Sequence, residues 1–222
     1  MLMPADILKL LHTNGEEKKG YILKRLSETL ADRYDEDALG KIKIRYGAEV
    51  LRNELIKFVI LSAIYLFIGR FTLLIFAAGI LFPVRVFSGG MHMHSNISCF
   101  VFSFIFFGLS VCILPDLSIS FKAALIMMAG ALLIIAFCSP IATQNKPITT
   151  RKRYTDFKIR SILLSCIVSV LLLFLHAQGI DLLFRIGLWT LSLQSLQLLA
   201  AKTYHILSGK GDENDGYLQK NK

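Results

Sequence analysis

The sequence predicts an all-α, polytopic membrane protein with about six transmembrane helices, or four helices plus a re-entrant pair. Three observations carry that prediction. Of 222 residues, 54% are apolar and 18% charged, with a mean hydropathy of +0.56. Soluble chains average roughly 45–50% apolar, glycine included, and about 25% charged. Apolar runs close to span length follow one another from about residue 55 to 199. The charges also segregate: residues 1–53 hold 10 basic and 9 acidic side chains, residues 54–199 hold 11 and 4, and residues 200–222 hold 4 and 3. This composition excludes disordered, collagen-like and coiled-coil chains. Four cysteines are too few for a disulfide scaffold.

The elements follow in order. Residues 1–53 read as amphipathic helix, cytoplasmic or interfacial. Ile22, Leu23, Leu26 and Leu30 recur at helical spacing among Lys24, Arg25, Glu28 and Asp32, and Ile42, Ile44, Val50 and Leu51 form a second set. Acidic and basic residues in the first 20 leave no signal-peptide core, so none is expected. The transmembrane domain is expected over 54–199, with apolar runs at about 55–69, 71–85, 97–114, 121–141, 161–177 and 180–199. A span needs about 20 residues, so the first two are short. Only Gly69 and Arg70 separate them, which allows a tight hairpin or a re-entrant pair. A charged tail, 200–222, closes the chain.

Six spans place both termini on one side, together with the loops 86–96 and 142–160. The second loop region holds Lys146, Arg151, Lys152, Arg153, Lys158 and Arg160. Positive charge marks the cytoplasmic side, so the termini and both loops are expected there. Nucleic acid is not expected as a partner, because the basic cluster lies between runs of membrane length. Cys112, Cys138 and Cys166 fall inside apolar runs and read as small buried hydrophobes. Cys99, near the cytoplasmic start of the third run, is expected as a free thiol.

The stretch with chemical content is Arg85-Val-Phe-Ser-Gly-Gly-Met-His-Met-His-Ser-Asn-Ile-Ser-Cys99. Gly89-Gly90 should break helix, and Ser95 or Asn96 can cap the next one. Cys99 would then lie in the first helical turn, where the positive end of the helix dipole favours a thiolate. On one straight helix His92 and Cys99 would be separated by about 10.5 Å along the axis. A nucleophile and its base need roughly 2.6–3.2 Å, so a working pair requires a bend between them. Spacing alone does not choose between His92 and His94. The residues leave three readings open: an incidental polar loop, a metal site through His92, His94 and Cys99, and a cysteine nucleophile with a histidine base.

The run Gly-Gly-Met-His92, followed after six residues by Cys99, resembles the signature of the accessory gene regulator B (AgrB) family of Gram-positive bacteria. Lys41-Ile-Lys-Ile-Arg-Tyr-Gly-Ala-Glu, leading to Asn53-Glu-Leu-Ile-Lys57, and Asn145-Lys-Pro-Ile in the basic loop are similar to further parts of that family. The resemblance implies a membrane cysteine endopeptidase that cuts an AgrD-like propeptide and helps form a cyclic quorum-sensing peptide, with 54–199 as its catalytic domain. It implies His92 and Cys99 as the dyad, with Arg85 and Gly90 in supporting positions. Arg151, Lys152 and Arg153 correspond loosely to the family's basic second loop. His94 is incidental under this resemblance. It implies no cofactor and no metal. The expected partners are the propeptide and the lipid bilayer, and a homodimer is left open. From another class, a non-enzymatic transporter or exporter of a small peptide would use polar groups within spans. His176, Asp181 and Arg185 are candidates, the last two spaced to pair on one helix face.

Overall fold

The computed structural model describes residues 38–90, 96–141 and 150–207. Among them there are helices and turns and no strand. The expected amphipathic segment before residue 38, the loop residues 142–149 and the tail from 208 lie outside the described residues.

Contacts divide the chain into two compact units, Met1–Leu61 and Ser62–Lys222. The first helix, α1 (Ala38–Phe67), belongs partly to each. It crosses the expected boundary at residue 53 without a break. In its first-unit part Lys57 Nζ pairs with Glu54 Oε1 at 2.8 Å, one turn away.

The second unit begins with the end of α1 and, among its described residues, holds five more α-helices. They are α2 (Phe71–Ser88), α3 (Asn96–Phe107), α4 (Phe121–Cys138), α5 (Arg151–Ala177) and α6 (Asp181–Leu207). α3 continues through a π-helical turn, Gly108–Ile113, and a 3₁₀ turn, Leu114–Asp116. Among the described residues, five segments are long and apolar enough to cross a membrane: Phe71–Ser88, Ile97–Asp116, Phe121–Cys138, Arg151–Ala177 and Asp181–Tyr204. The chain is thus an all-α polytopic membrane protein. α1 is 30 residues long, but Arg52, Glu54 and Lys57 interrupt its apolar character.

The turns have local causes. α1 and α5 both end in a glycine, Gly69 and Gly179, with φ of 75°. In each, the glycine N–H reaches the carbonyl three residues back and the next N–H reaches the one five back: Arg70 to Tyr65 at 2.9 Å, Ile180 to Leu175 at 2.9 Å. This double closure satisfies the last carbonyls of a helix and needs a left-handed residue. The tight Gly69-Arg70 connection expected from the sequence is therefore present. Ser120 caps α4, its Oγ accepting from the Ala123 N–H at 3.4 Å.

The core is a seam at the centre of the second unit, formed by α2, α4, α5 and α6. α4 contributes Ala124, Met128, Ala131 and Ile135, and α6 contributes Phe184, Leu188, Leu191 and Leu198. Both sets follow the alternating three- and four-residue spacing of interlocking helices. Lipid supplies no hydrophobic drive for helices to associate, so close contact and small residues decide the packing. Gly187 of α6 shows this: a Cβ there would come within 2.1 Å of Leu172 Cδ2 and 3.0 Å of Ile80 Cδ1. On α5 the buried serines Ser161, Ser165 and Ser169 recur every four residues. Ser165 and Ser169 donate to carbonyls one turn back, both at 2.8 Å. Ser139 and Ser161 share a hydroxyl–hydroxyl hydrogen bond between the end of α4 and α5. Outward faces stay apolar: Ile126, Phe137, Val170 and Phe174 are exposed, as a lipid solvent allows.

Three sequence expectations need correction. The basic residues 151–160 form the first turns of α5, not a loop. The cause is aromatic: Phe157 of α5 packs 5.9 Å from Phe87 of α2, with the Arg153 and Arg160 guanidinium groups over these two rings. Cys166 is exposed on the outside of the bundle, while Cys112 and Cys138 are half-buried. Asp181 pairs with His176 Nδ1 at 2.7 Å and not with Arg185, because the Gly179 turn brings the end of α5 beside the start of α6. His176 also stacks on Phe121 at 4.6 Å.

Candidate active site

Cys99 is the fourth residue of α3, in its first turn, as the cap signal at Ser95-Asn96 predicts. Its side chain is buried and its thiol is free. The Cys99 carbonyl accepts from Ser103 Oγ at 3.0 Å. His92 and His94 lie outside the described residues, and so does Ser95.

The chain leading to them leaves the end of α2 in a defined way. Gly89 closes that helix, its N–H bonding to the Arg85 carbonyl at 2.9 Å. It has φ 79° and ψ −160°, a conformation open essentially to glycine alone. Space demands glycine as well. A Cβ on Gly89 would sit 2.6 Å from the carbonyl oxygen of Ile141 and 3.3 Å from its nitrogen. That approach is held by the Ile141 N–H, which donates to the Ser88 carbonyl at 3.0 Å. Ile141 follows the cis Ser139–Pro140 peptide after α4.

α6 completes the arrangement. Gln194 is buried and its Nε2 donates to Ser88 Oγ at 3.2 Å and to the Gly89 carbonyl at 3.1 Å. One turn on, Gln197 is also buried. A Cβ on Gly90 would lie 3.3 Å from Gln197 Nε2 and 3.5 Å from Arg85 Nε. The Gly-Gly turn is therefore clasped between the end of α4 and the Gln194 amide of α6, with Gln197 beside it.

The structure thus places two of the sequence-predicted residues, Arg85 and Gly90, side by side, with Gln197 as their common neighbour. Arg151, Lys152 and Arg153 are exposed on the first turn of α5. Arg153 lies over Phe157, 5.5 Å from the ring centroid, and Phe157 leads to Phe87, two residues beyond Arg85. This end of the second unit carries Arg85, Arg151, Lys152, Arg153, Lys158, Arg160 and Lys202, with Asp156 the one carboxylate among its described residues. Three cations at a helix N-terminus oppose the helix dipole, so they do not serve the helix itself. Lys202 donates to the Phe137 carbonyl at 3.1 Å and ties α6 to α4.

Sequence reasoning missed Gln194 and Gln197. Their signal is two amides three residues apart inside an apolar run, a costly placement in a membrane unless the groups have work to do. It also did not separate the two glycines: Gly89, and not Gly90, has the conformation and the contact that exclude a side chain.

Comparison with known proteins supplies the remaining context. No solved structure matches the chain. It is 27% identical over 154 residues to the accessory gene regulator protein B of Staphylococcus saprophyticus, covering 69% of this chain and 81% of that one. Identity to the accessory gene regulator protein B of Staphylococcus carnosus is 25% over 176 residues, covering 79% and 91%. For the protein of that name from Staphylococcus epidermidis it is 26% over 149 residues, covering 67% and 76%. The family model for accessory gene regulator B matches residues 21–198, which contain Arg85, the Gly-Gly turn, Cys99 and the basic start of α5. With the match running through every helix of the bundle, this chain belongs to the accessory gene regulator B family.

Proposed function

We propose that the chain is a membrane cysteine endopeptidase that processes an AgrD-like propeptide into a cyclic quorum-sensing peptide. The observation that supports this most is the position of Cys99: a free, buried thiol in the first turn of a helix, beyond a glycine turn that the fold goes to lengths to hold. His92, two residues past Gly90, is the base. It takes the proton of Cys99, and the thiolate attacks a propeptide carbonyl. The C–N bond breaks, the amine leaves with the proton from His92, and the N-terminal fragment stays on Cys99 as a thioester. Backbone N–H groups at the start of α3 are the natural stabilisers of the developing oxyanion.

A thiol or hydroxyl within the bound fragment then attacks the thioester and returns Cys99 to its free form. An intramolecular group held in place reaches effective molarities of about 10⁵ M or more, far above that of water, so ring closure outruns hydrolysis. The product is a thiolactone, or a lactone where serine attacks. In this reading the basic end of the bundle lies in the cytoplasm with both termini, by the charge asymmetry of the chain.

The test uses the full-length protein in phospholipid vesicles and the propeptide encoded by a short reading frame beside its gene. Cys99→Ser and His92→Ala should each abolish cleavage while the protein stays in the membrane, and His94→Ala should keep most of it. Mass spectrometry should find a product one water lighter than the linear fragment. Cleavage surviving Cys99→Ser would refute the nucleophile. Rapid release of linear peptide alone would make the protein a plain hydrolase.

A further inference from the structure

Gln197 has no structural employment. Its side chain is only 5% exposed, yet neither Oε1 nor Nε2 has a hydrogen-bond partner, and Gln194 Oε1 one turn away has none either. A buried amide left unpaired destabilises the fold, and an apolar side chain of similar size would be better there. Some buried polar groups nearby are satisfied: the Gln194 amide N–H groups reach Ser88 and Gly89, and Thr190 Oγ1 donates to the Ile186 carbonyl at 2.8 Å. Arg185 Nε, Trp189 Nε1 and Ser192 Oγ of α6 are also buried without a partner, but Gln197 alone among the described residues leaves both a donor and an acceptor of one amide unpaired, with the Gln194 acceptor one turn away. Gln197 adjoins Gly90: a Cβ there would lie 3.3 Å from its Nε2, with Arg85 Nε close by.

We propose that Gln197 is a substrate-binding residue that takes one residue of propeptide main chain, with Gln194 Oε1 as an adjoining acceptor. This rests on the peptidase reading above and deepens it. In extended backbone the N–H and C=O of one residue point to the same side, and they exchange two hydrogen bonds with a paired residue in an antiparallel ladder. A primary amide offers the same donor and acceptor pair. Gln197 acts as a single rung of a strand, and recognition of main chain by a strand-like edge is a general peptide-binding mode. Gln194, by fixing the Gly89 carbonyl, holds the main chain beside Gln197 in place. The ligand class is a peptide segment with a free backbone N–H at one position, whatever its side chain, so proline is excluded there.

The experiment combines a protein variant with backbone-modified substrates. Full-length wild type and Gln197→Met are placed in phospholipid vesicles. Each is given the synthetic propeptide and a series of copies carrying a single backbone N-methyl group. In the variant, KM should rise tenfold or more with kcat nearly unchanged. Its unfolding temperature should equal or exceed that of wild type, and alkylation of Cys99 by iodoacetamide should keep its rate. One N-methyl position should cost the wild type a similar factor and cost the variant nothing further, the signature of two groups that touch. N-methyl effects identical in both proteins at every position, or an unchanged KM, overturn the proposal. Should the variant fail to fold, the N-methyl series on wild type still decides: no position costing tenfold overturns it. Binding of the same series to Cys99→Ala protein gives an answer even if the wild type does not cleave, so failure of the peptidase reading is told apart from failure of this one.

Discussion

Replacing Gly89 with alanine is the sharpest perturbation of the fold around the candidate site, and the molecule contains its own controls. Gly69 and Gly179 also have positive φ, both 75°, but a Cβ on either would meet nothing within 4 Å. Alanine there costs only the left-handed backbone, about 1–2 kcal/mol. At Gly89 the backbone lies at φ 79° and ψ −160°, a region that costs a side chain about 1–3 kcal/mol. The new Cβ would also press on the backbone oxygen and nitrogen of Ile141, atoms that cannot rotate away. Relief requires parting residues 89 and 141 and so losing the Ile141–Ser88 hydrogen bond, about 1 kcal/mol more. The total for Gly89→Ala is about 2–4 kcal/mol. At roughly 2–4 °C per kcal/mol for a chain of this length, Gly69→Ala and Gly179→Ala should each lower the melting temperature in detergent by a few degrees. Gly89→Ala should lower it further, by about 4–16 °C. Cleavage by surviving folded Gly89→Ala should drop at least tenfold, because the segment leading to His92 loses its anchor. Three variants melting within about 2 °C of one another would refute the reasoning.

Two further outcomes are expected. Neutralising Arg151, Lys152 and Arg153 together should raise KM for an acidic-tailed propeptide and flatten its dependence on salt, since exposed charges act over a Debye length of about 8 Å; kinetics at low and high ionic strength check this, and an unchanged salt slope counts against substrate capture. A cysteine placed at Thr150 should resist an impermeant thiol reagent applied to intact cells, and one placed at Gln178, at the opposite end of α5, should react; the reverse pattern would invert the orientation proposed here.

Much of the bundle was legible because lipid imposes a simple rule. Five long apolar runs became helices that can span, and the Gly69 and Gly179 breaks fell where the runs stopped. Charge hid the start of α5. Arg151 to Arg160 look like loop because they are basic, but helix there depends on Phe157 finding Phe87 across the bundle, a contact between residues far apart in sequence. The same limit applied to Asp181: spacing favoured Arg185 at one turn's remove, whereas the folded turn offered His176. Cys99 was placed correctly from local cap chemistry alone. Gln194 and Gln197 escaped notice because an amide within an apolar run looks like a small interruption until its neighbours are known.

The clasp on the glycine turn has a consequence for timing. The groups that hold Ser88 and Gly89 come from Ile141 and from Gln194, and the latter lies 106 positions after Ser88. A ribosome delivers these residues in order, N-terminal segments first. The nascent chain therefore has Cys99 and both histidines synthesised well before α6 arrives to fix the turn ahead of them. Until α6 inserts, nothing from that helix restrains Gly89. On the peptidase reading proposed above, competence is in this sense the final product of biogenesis, and a half-made copy is kept harmless by the order of its own synthesis.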